Sequence, residues 1–379
     1  MDGAAIASAT RFRYVEACAG AGGMGLGLHM AGWTGTGMER DPDAVATHNA
    51  NVGPCLAADI TTASAPHGAD LVAGGVPCQS FSLAGKGEGL DDPRGQLFAS
   101  LLRLGVEAGA RCILLENVRG LVSCGALPVI LGAFRAAGYE PVHALLCAAD
   151  YGVPQNRVRL FISGFRDAAD LARFRWPSPS HGAPGNLYGL PAWRTVRQAL
   201  GLPAGDYAHG LLPHADPGSA QGMRVLDVDR AAPTVGGHTA DLLDRPARSV
   251  KANTWHEGAS PRASRRYGAR LAAATALDRP SPTLNASEHK ASLSFHSRGG
   301  TKDDRRASTR LIAAAAAESQ SAPVRMTVAQ LAALQSFPAG FAFHGTLSSQ
   351  HKQVGNAVPP PLAAAIGRSI ATALYGGAA

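Results

Sequence analysis

The chain has 379 residues, 46% of them hydrophobic and 17% charged, with a formal net charge of +7. That length suggests about two domains, and the composition is that of an ordinary globular protein rather than a fibrous or disordered one. No apolar run approaches the ~18 residues a membrane helix needs, and the first residues, with Asp2, Arg11, Arg13 and Glu16, lack the apolar core of a secretory signal.

Taken in order, Tyr14-Val15 reads as a strand running into a glycine-rich turn, Cys18 to Gly23, and then a helix from Met24 to Met30. Gly35 to Met38 is a second short strand ending at Glu39, and a third ends at Asp59-Ile60. Asp70 to Ala73 is a short buried strand that delivers Gly74-Gly75-Val76-Pro77-Cys78-Gln79-Ser80-Phe81-Ser82. A helix is expected over 94–109, a strand from Cys112 to Val118, a second helix over 125–138 and a further strand from Leu160 to Ser163. Strands alternating with helices argue for a parallel sheet covered on both faces.

From Trp176 the texture changes to Pro, Ser, Gly and His. An Asp-Arg-x-x-x-Thr/Ser pattern recurs from Asp229, Asp244 and Asp278, each copy resembling a turn that feeds a strand. Between Asp241 and Arg310 there are 14 Lys and Arg against 7 Asp and Glu, so the whole surplus of positive charge sits there. A solvated basic surface is the plain explanation; phosphate contact is the functional one. A helix is expected over 311–319. Thr327-Val328-Ala329-Gln330 has the form of a capping box opening a helix through Leu331, Leu334 and Gln335 that Phe337-Pro338 ends. A last helix begins near Pro361 and buries Leu362, Ile366 and Ile370.

Glycines and a proline around Cys78 make poor core packing but fix an exposed loop, so its thiol is a candidate nucleophile rather than a packing residue. Six cysteines (18, 55, 78, 112, 124 and 147) show no Cys-x-x-Cys pairing or clustering with His. Free thiols in a reducing cytoplasm are expected, with neither disulfides nor a metal site. Glu116 stands at a strand end, and Gln155-Asn156-Arg157-Val158-Arg159 sets two guanidiniums at i and i+2 on one face of a strand. Glu39 is placed to accept from ribose hydroxyls of a nucleoside. The histidines, His48 among them, lack ligand spacing and read as surface or loop residues.

Together these segments, with Gln353-Val354-Gly355-Asn356-Ala357-Val358 near the C-terminus, resemble the cytosine-C5 DNA methyltransferases in the order that family uses. The motifs cover roughly the first 165 residues and the last 55. The resemblance implies an α/β, Rossmann-like S-adenosylmethionine-dependent methyltransferase sheet domain with a smaller, β-rich target-recognition domain inserted in it. The expected division is 1–165 for the first catalytic part, 166–324 for target recognition and 325–379 for a C-terminal part folding back on the first.

It further implies Cys78, Glu116, Arg157 and Arg159 as catalytic residues. Cys18, Ala19, Gly20, Gly22, Gly23, Glu39, Asp59, Ile60, Pro77, Leu97, Asn356 and Ala357 would hold S-adenosylmethionine and its product S-adenosylhomocysteine, with Asp59 meeting the adenine amino group. Gln79, Ser82, Arg94 and Gln155 would meet double-stranded DNA, with Gln155 and Arg157 bracing the site. Cys18 departs from the aromatic usual at its position, and Glu16 stands where Asp is common. A bacterial restriction-modification or orphan enzyme is expected, a cytoplasmic monomer with no membrane contact and at most a separately acting restriction endonuclease as partner. An RNA cytosine methyltransferase and a silent DNA binder are the alternatives. A nicotinamide oxidoreductase rests on the glycine turn alone.

Overall fold

The computed structural model describes residues 12–77, 95–123, 125–201, 211–214, 224–227, 232–233 and 327–376. The chain divides into two compact units. One comprises Met1–Asp206, Val228–Leu242 and Met326–Ala379; the other comprises Tyr207–Asp227 and Leu243–Arg325.

The first unit is built on a seven-stranded sheet. Its strands are β1 (Phe12–Ala17), β2 (Trp33–Glu39), β3 (Cys55–Ala57), β4 (Leu71–Gly74), β5 (Cys112–Val118), β6 (Glu140–Cys147) and β8 (Val158–Phe165), in the order β3-β2-β1-β4-β5-β8-β6. A two-residue strand, β7 (Gln155–Asn156), pairs in parallel with β11 (Ala232–Pro233). β1 to β5 run parallel, but β8 runs antiparallel between β5 and β6. The sheet is therefore mixed rather than wholly parallel. The reason lies in the connection: β6 and β8 are joined by residues 148–157, too short for the crossover a parallel pair requires.

The chain leaves β1 toward β2 on one side and returns to β4 on the other, so the strand order reverses between β1 and β4. In open α/β sheets the ligand crevice lies at such a point, outside the carboxyl ends of the strands. Glu39, Gly74 and Glu116 lie at or near those carboxyl ends, and the amino end of antiparallel β8 brings Arg159 to the same edge.

Side chains alternate across the sheet with a period of two. Phe12, Tyr14, Leu71, Ala73, Cys112, Leu114, Phe161 and Phe165 point to one layer, and Val15, Ala17, Val72, Ile113, Leu115, Leu160 and Ile162 to the other. The first layer is closed by α1 (Gly23–Met30) and the last described helix, α10 (Pro360–Tyr375), and the second by α3 (Gly95–Ala108) and α5 (Leu127–Ala136). α10 presents Leu362, Ile366 and Ile370 to the core, each fully buried and each contributing about 2 kcal/mol of transfer free energy. Trp33 Nε1 donates to the Gly367 carbonyl at 3.0 Å, and Arg111 forks onto the buried Asp170 while also donating to the Leu374 carbonyl.

Helix α8 (Val328–Leu334) opens with the expected capping box between Thr327 and Gln330, and Gln335 is its C-cap residue. α9 (Leu347–Asn356) follows. β3 stops at Ala57, so Asp59 lies in the turn beyond the strand instead of ending it. In the second unit the described residues form an antiparallel pair, β9 (Leu211–His214) with β10 (Arg224–Asp227). The helix expected over 311–319, the basic clusters between 241 and 310, and the Asp-Arg copies at Asp244 and Asp278 lie outside the described residues. Among the described residues no helix is long and apolar enough to cross a membrane.

Candidate active site

The turn after β1 is left-handed at Cys18 (φ 52°), Gly20 (φ 55°) and Gly22 (φ 84°). Cys18 bears that conformation with a side chain, an uncommon arrangement. The two glycines face different surroundings. A methyl group on Gly22 would lie 2.7 Å from both His48 Cδ2 and Val52 Cγ2, whereas one on Gly20 would meet nothing within 4 Å. Gly22 therefore faces packed protein and Gly20 faces open space, at the N-terminal end of α1. Cys18 packs on the core beneath, and burial, with Glu39 and Asp59 nearby, pushes its thiol up to about 12, so it remains neutral.

Glu39 is tightly organised. Its Oε2 accepts from Gly20 N at 2.8 Å, and its Oε1 accepts from Arg40 N at 2.7 Å and Asp41 N at 2.8 Å. A carboxylate has about four accepting positions, so after these three bonds one remains for a ligand hydroxyl without rearrangement. Asp59 Oδ1 accepts from the Thr61 backbone N–H at 2.9 Å and hydroxyl at 2.7 Å, and these bonds hold its carboxyl below the ordinary range. Ala19, Gly23, Ile60 and Ala357 are buried, Leu97 is half-buried, and Pro77 and Asn356 are exposed.

A second group lies further along the same edge. Arg159 Nε stands 3.2 Å from Glu116 Oε1, with both side chains largely buried. Beside it, Asn117 Nδ2 donates to the Val76 carbonyl at 3.0 Å while its Oδ1 accepts from Val118 N at 2.8 Å. The strand end bearing Glu116 is thus bonded to the backbone two residues before Cys78. Arg157 is 2% exposed, and its Nη1 donates to the Gly355 carbonyl at 3.0 Å. Burial and the Arg159 charge lower its guanidinium to about 9, still cationic at neutral pH. Gln155, expected at the DNA, is fully buried, and its Nε2 donates to Gln335 Oε1 at 2.7 Å. Cys78, Gln79, Ser82 and Arg94 lie outside the described residues.

The profile of C-5 cytosine-specific DNA methylases matches residues 12–372. The chain belongs to that family. It is a DNA cytosine-C5 methyltransferase by that membership, and methyl transfer in such enzymes draws on S-adenosylmethionine. Type II methyltransferase M.NgoMIV of Neisseria gonorrhoeae is 30% identical over 96% of this chain and 98% of its own. Type II methyltransferase M.AquIA of Picosynechococcus is 38% identical over 56% of this chain and 94% of its own. Among solved structures, the S. pombe Dnmt2 methyltransferase aligns with a TM-score of 0.58 at 17% identity, covering 96% of this chain and all of that one (100%), a likeness of fold.

Three side chains of this methylase carry more structure than their sequence positions reveal. Asn117 and Gln335 act through bonds to distant backbone, and His48 is no surface histidine. His48 is fully buried on α2 (Pro42–Asn51), its Nδ1 3.0 Å from the Gly53 carbonyl and its Nε2 3.9 Å from Glu16 Oε2. The ring fits because Gly22 and Gly37 offer no Cβ; a methyl on Gly37 would lie 2.8 Å from His48 Nε2. A glycine in the second strand was the one sequence hint of a buried ring.

The Glu16–His48 pair has a pH signature. Burial raises the Glu16 carboxyl above its ordinary 4.5, although His48 pulls the other way. Burial pulls His48 down, but Glu16 and the Gly53 carbonyl carry it on balance above its ordinary 6.5. Tyr14, Cys18, His29, Cys55 and Glu39 are the other ionisable groups around the pair. Both groups bind protons more tightly folded than unfolded, so their stabilisation is complete below the ordinary values and fades as pH rises through the raised ones. From about pH 5 to pH 8 the wild-type melting temperature should fall more than that of Glu16→Gln. Equal slopes in thermal melts would refute the assignment.

Proposed function

We propose that this methylase modifies C5 of a flipped-out cytosine within a short sequence of duplex DNA through a covalent bond between Cys78 and C6. The observation that carries the reading is the Glu116–Arg159 pair on the strand end that Asn117 bonds to Val76, just ahead of Cys78. The carbon C5 of cytosine is too weak a nucleophile to be alkylated unaided. Addition of a thiolate to C6 breaks the C5–C6 double bond and leaves an enamine with its electron density on C5. Charge also develops on N3 and O2. Glu116 bonds N3 with one oxygen and the N4 amino group with the other, while Arg159 holds O2. The enamine C5 would then take a methyl group as the sulfur–carbon bond of a methyl sulfonium breaks, the sulfur leaving as a neutral thioether. Loss of the C5 proton and expulsion of the Cys78 thiolate restore the ring as 5-methylcytosine. A base in a stacked duplex is out of reach, so extrusion precedes chemistry.

The residues at the sheet switch point fit S-adenosylmethionine. The open face of Gly20 admits a ligand against the backbone, and the free accepting position of Glu39 suits a ribose hydroxyl. Asp59, with Ile60 behind it, suits the adenine amino group. Pro77, Leu97, Asn356 and Ala357 complete the wall, with Cys18, Ala19, Gly22 and Gly23 shaping the turn. When bound, the cofactor supplies an electrophilic sulfonium methyl group. Cys18 is a neutral, small wall residue in this setting, with less contact area than an aromatic ring.

The segment 166–324 is assigned to target recognition in a β-rich inserted domain, and 1–165 with 325–379 to catalysis. The relatives named as Type II methyltransferases support a restriction-modification setting in a bacterial cytoplasm. A monomer with no membrane contact, and at most a separately acting restriction endonuclease as partner, completes the proposal. The charge surplus between Asp241 and Arg310 predicts that duplex affinity falls steeply with salt, because each neutralised phosphate releases condensed counterions. A flat response in filter binding would remove that segment from the DNA interface.

The decisive experiment is single-base methylation mapping of plasmid DNA from a methylation-deficient host expressing the chain. Methylcytosine confined to one recurring short sequence is the expected result. Unmodified DNA from well-expressed, folded protein would overturn it in favour of an RNA substrate or a silent binder.

A further inference from the structure

The C-terminal end of α9 presents a backbone problem that two side chains solve. A helix leaves its last carbonyls short of partners inside the helix; here the Val354 carbonyl accepts from Ala357 N at 3.3 Å, and the helix end lies at Asn356 and Ala357, on the proposed cofactor wall. Gln335 is fully buried; its Nε2 donates to the Val354 carbonyl at 2.8 Å and the Ala357 carbonyl at 3.0 Å. Arg157 Nη1 donates to the carbonyl between them, Gly355, at 3.0 Å. The Arg157 charge also suits the negative end of the helix.

The other end of Gln335 faces the base side. Its Oε1 accepts from Gln155 Nε2 at 2.7 Å, and Gln155 reaches the Leu334 carbonyl as well, at 3.4 Å. Both amide hydrogens of Gln335 and its carbonyl oxygen are thereby used. Four residues after Gln155 stands Arg159, paired with Glu116. A single buried amide thus joins the backbone beside Asn356 to Gln155 of β7, from which the chain runs through Arg157 to Arg159 of β8. Burial makes this connection stiff, because any displacement of one end leaves an unsatisfied polar group at the other.

We infer that Gln335 is a positioning residue that couples the methyl-donor side of the site to the target-base side. It touches neither substrate nor cofactor. Its donors fix the aim of Asn356, and its acceptor fixes the register of Gln155, Arg157 and Arg159. The inference rests on the proposed assignment of Asn356 to the cofactor and Arg159 to the base.

Two variants separate the two ends. Gln335→Met is similar in size and removes every bond. Gln335→Glu has the same shape and keeps an acceptor toward Gln155, but it loses the pair of hydrogens shared by Val354 and Ala357. Steady-state methyl transfer, with S-adenosylmethionine and a duplex carrying the mapped sequence varied in turn, reads both KM values and kcat.

The Met variant should raise both KM values, each by about tenfold, the scale of a buried bond left unmade. The Glu variant should raise KM for S-adenosylmethionine by a similar factor, on the same scale, and leave KM for the duplex near wild type. Unchanged KM values in folded variants would overturn the coupling. Equal rises of both in the two variants would also overturn it, as a general loosening of structure. Wild-type protein that methylates no DNA would instead refute the assigned function, so the two failures are distinct.

Discussion

Replacing Cys78 by serine should abolish methyl transfer, lowering the single-turnover rate on the order of 10⁴-fold or more, while duplex binding is largely kept. A thiol with the ordinary pKa of about 8.5 is a few per cent ionised at neutral pH and intrinsically very nucleophilic; a hydroxyl has neither property. The substitution exchanges one atom and leaves the backbone constraints of Gly74, Gly75 and Pro77 in place. It leaves the Asn117–Val76 bond in place as well. The chemistry offers an independent readout. In a duplex with fluorine in place of hydrogen at the target C5, the final proton loss is blocked and the Cys78–C6 bond cannot be released. Wild-type protein given methyl donor should then migrate with the DNA on a denaturing gel, and the serine variant should not. Methylation by Cys78→Ser at the wild-type rate, or an adduct formed by it, would sink the assignment of the nucleophile.

The sheet was readable because its signals are local. Short apolar runs ended by Glu39, Gly74 and Val118 announce strands whose ends meet at one edge, and the glycine turn leads directly into α1. The capping box at Thr327 is equally local, four residues long and formed as expected. What escaped depends on contacts distant along the chain. The antiparallel setting of β8 follows from the length of a connection rather than from the pattern of the strand itself. Gln335 pairs with a residue 180 positions away, and nothing in Leu334-Gln335-Ser336 distinguishes a buried relay from an exposed glutamine. His48 sits in a polar-looking stretch, His48-Asn49-Ala50-Asn51, and only the glycines opposite it admit its ring. Burial of a polar residue is set by what faces it. Gln155 illustrates the point, since its motif neighbours suggest contact with DNA while its amide is spent inside the protein.

The second large effect concerns the helix pair that carries the glycine turn. Gly27 lies within α1, where alanine would ordinarily be better by about 1 kcal/mol because glycine loses more backbone freedom on folding. Here the opposite sign is expected. A methyl on Gly27 would collide with the Pro360 carbonyl oxygen, lie 2.5 Å from Ala363 Cβ and lie 2.9 Å from Ala364 N. Two of those atoms are backbone of α10, which cannot turn aside as a side chain would, and Leu28, Leu362 and Ile366 of the two helices are fully buried in one core cluster. Overpacking of this kind costs about 3 kcal/mol, which outweighs the propensity gain. Gly132 provides the control. It lies within α5, with nothing within 4 Å of an added methyl, so Gly132→Ala should stabilise by about 1 kcal/mol. Denaturant titrations of the two variants should move in opposite directions. Because the shift of α10 at Pro360 also moves Ala357 and Asn356, Gly27→Ala should weaken S-adenosylhomocysteine binding in calorimetry where Gly132→Ala does not. A Gly27→Ala protein as stable as the Gly132→Ala protein would show that α1 and α10 are not in the close contact on which the proposed cofactor wall depends.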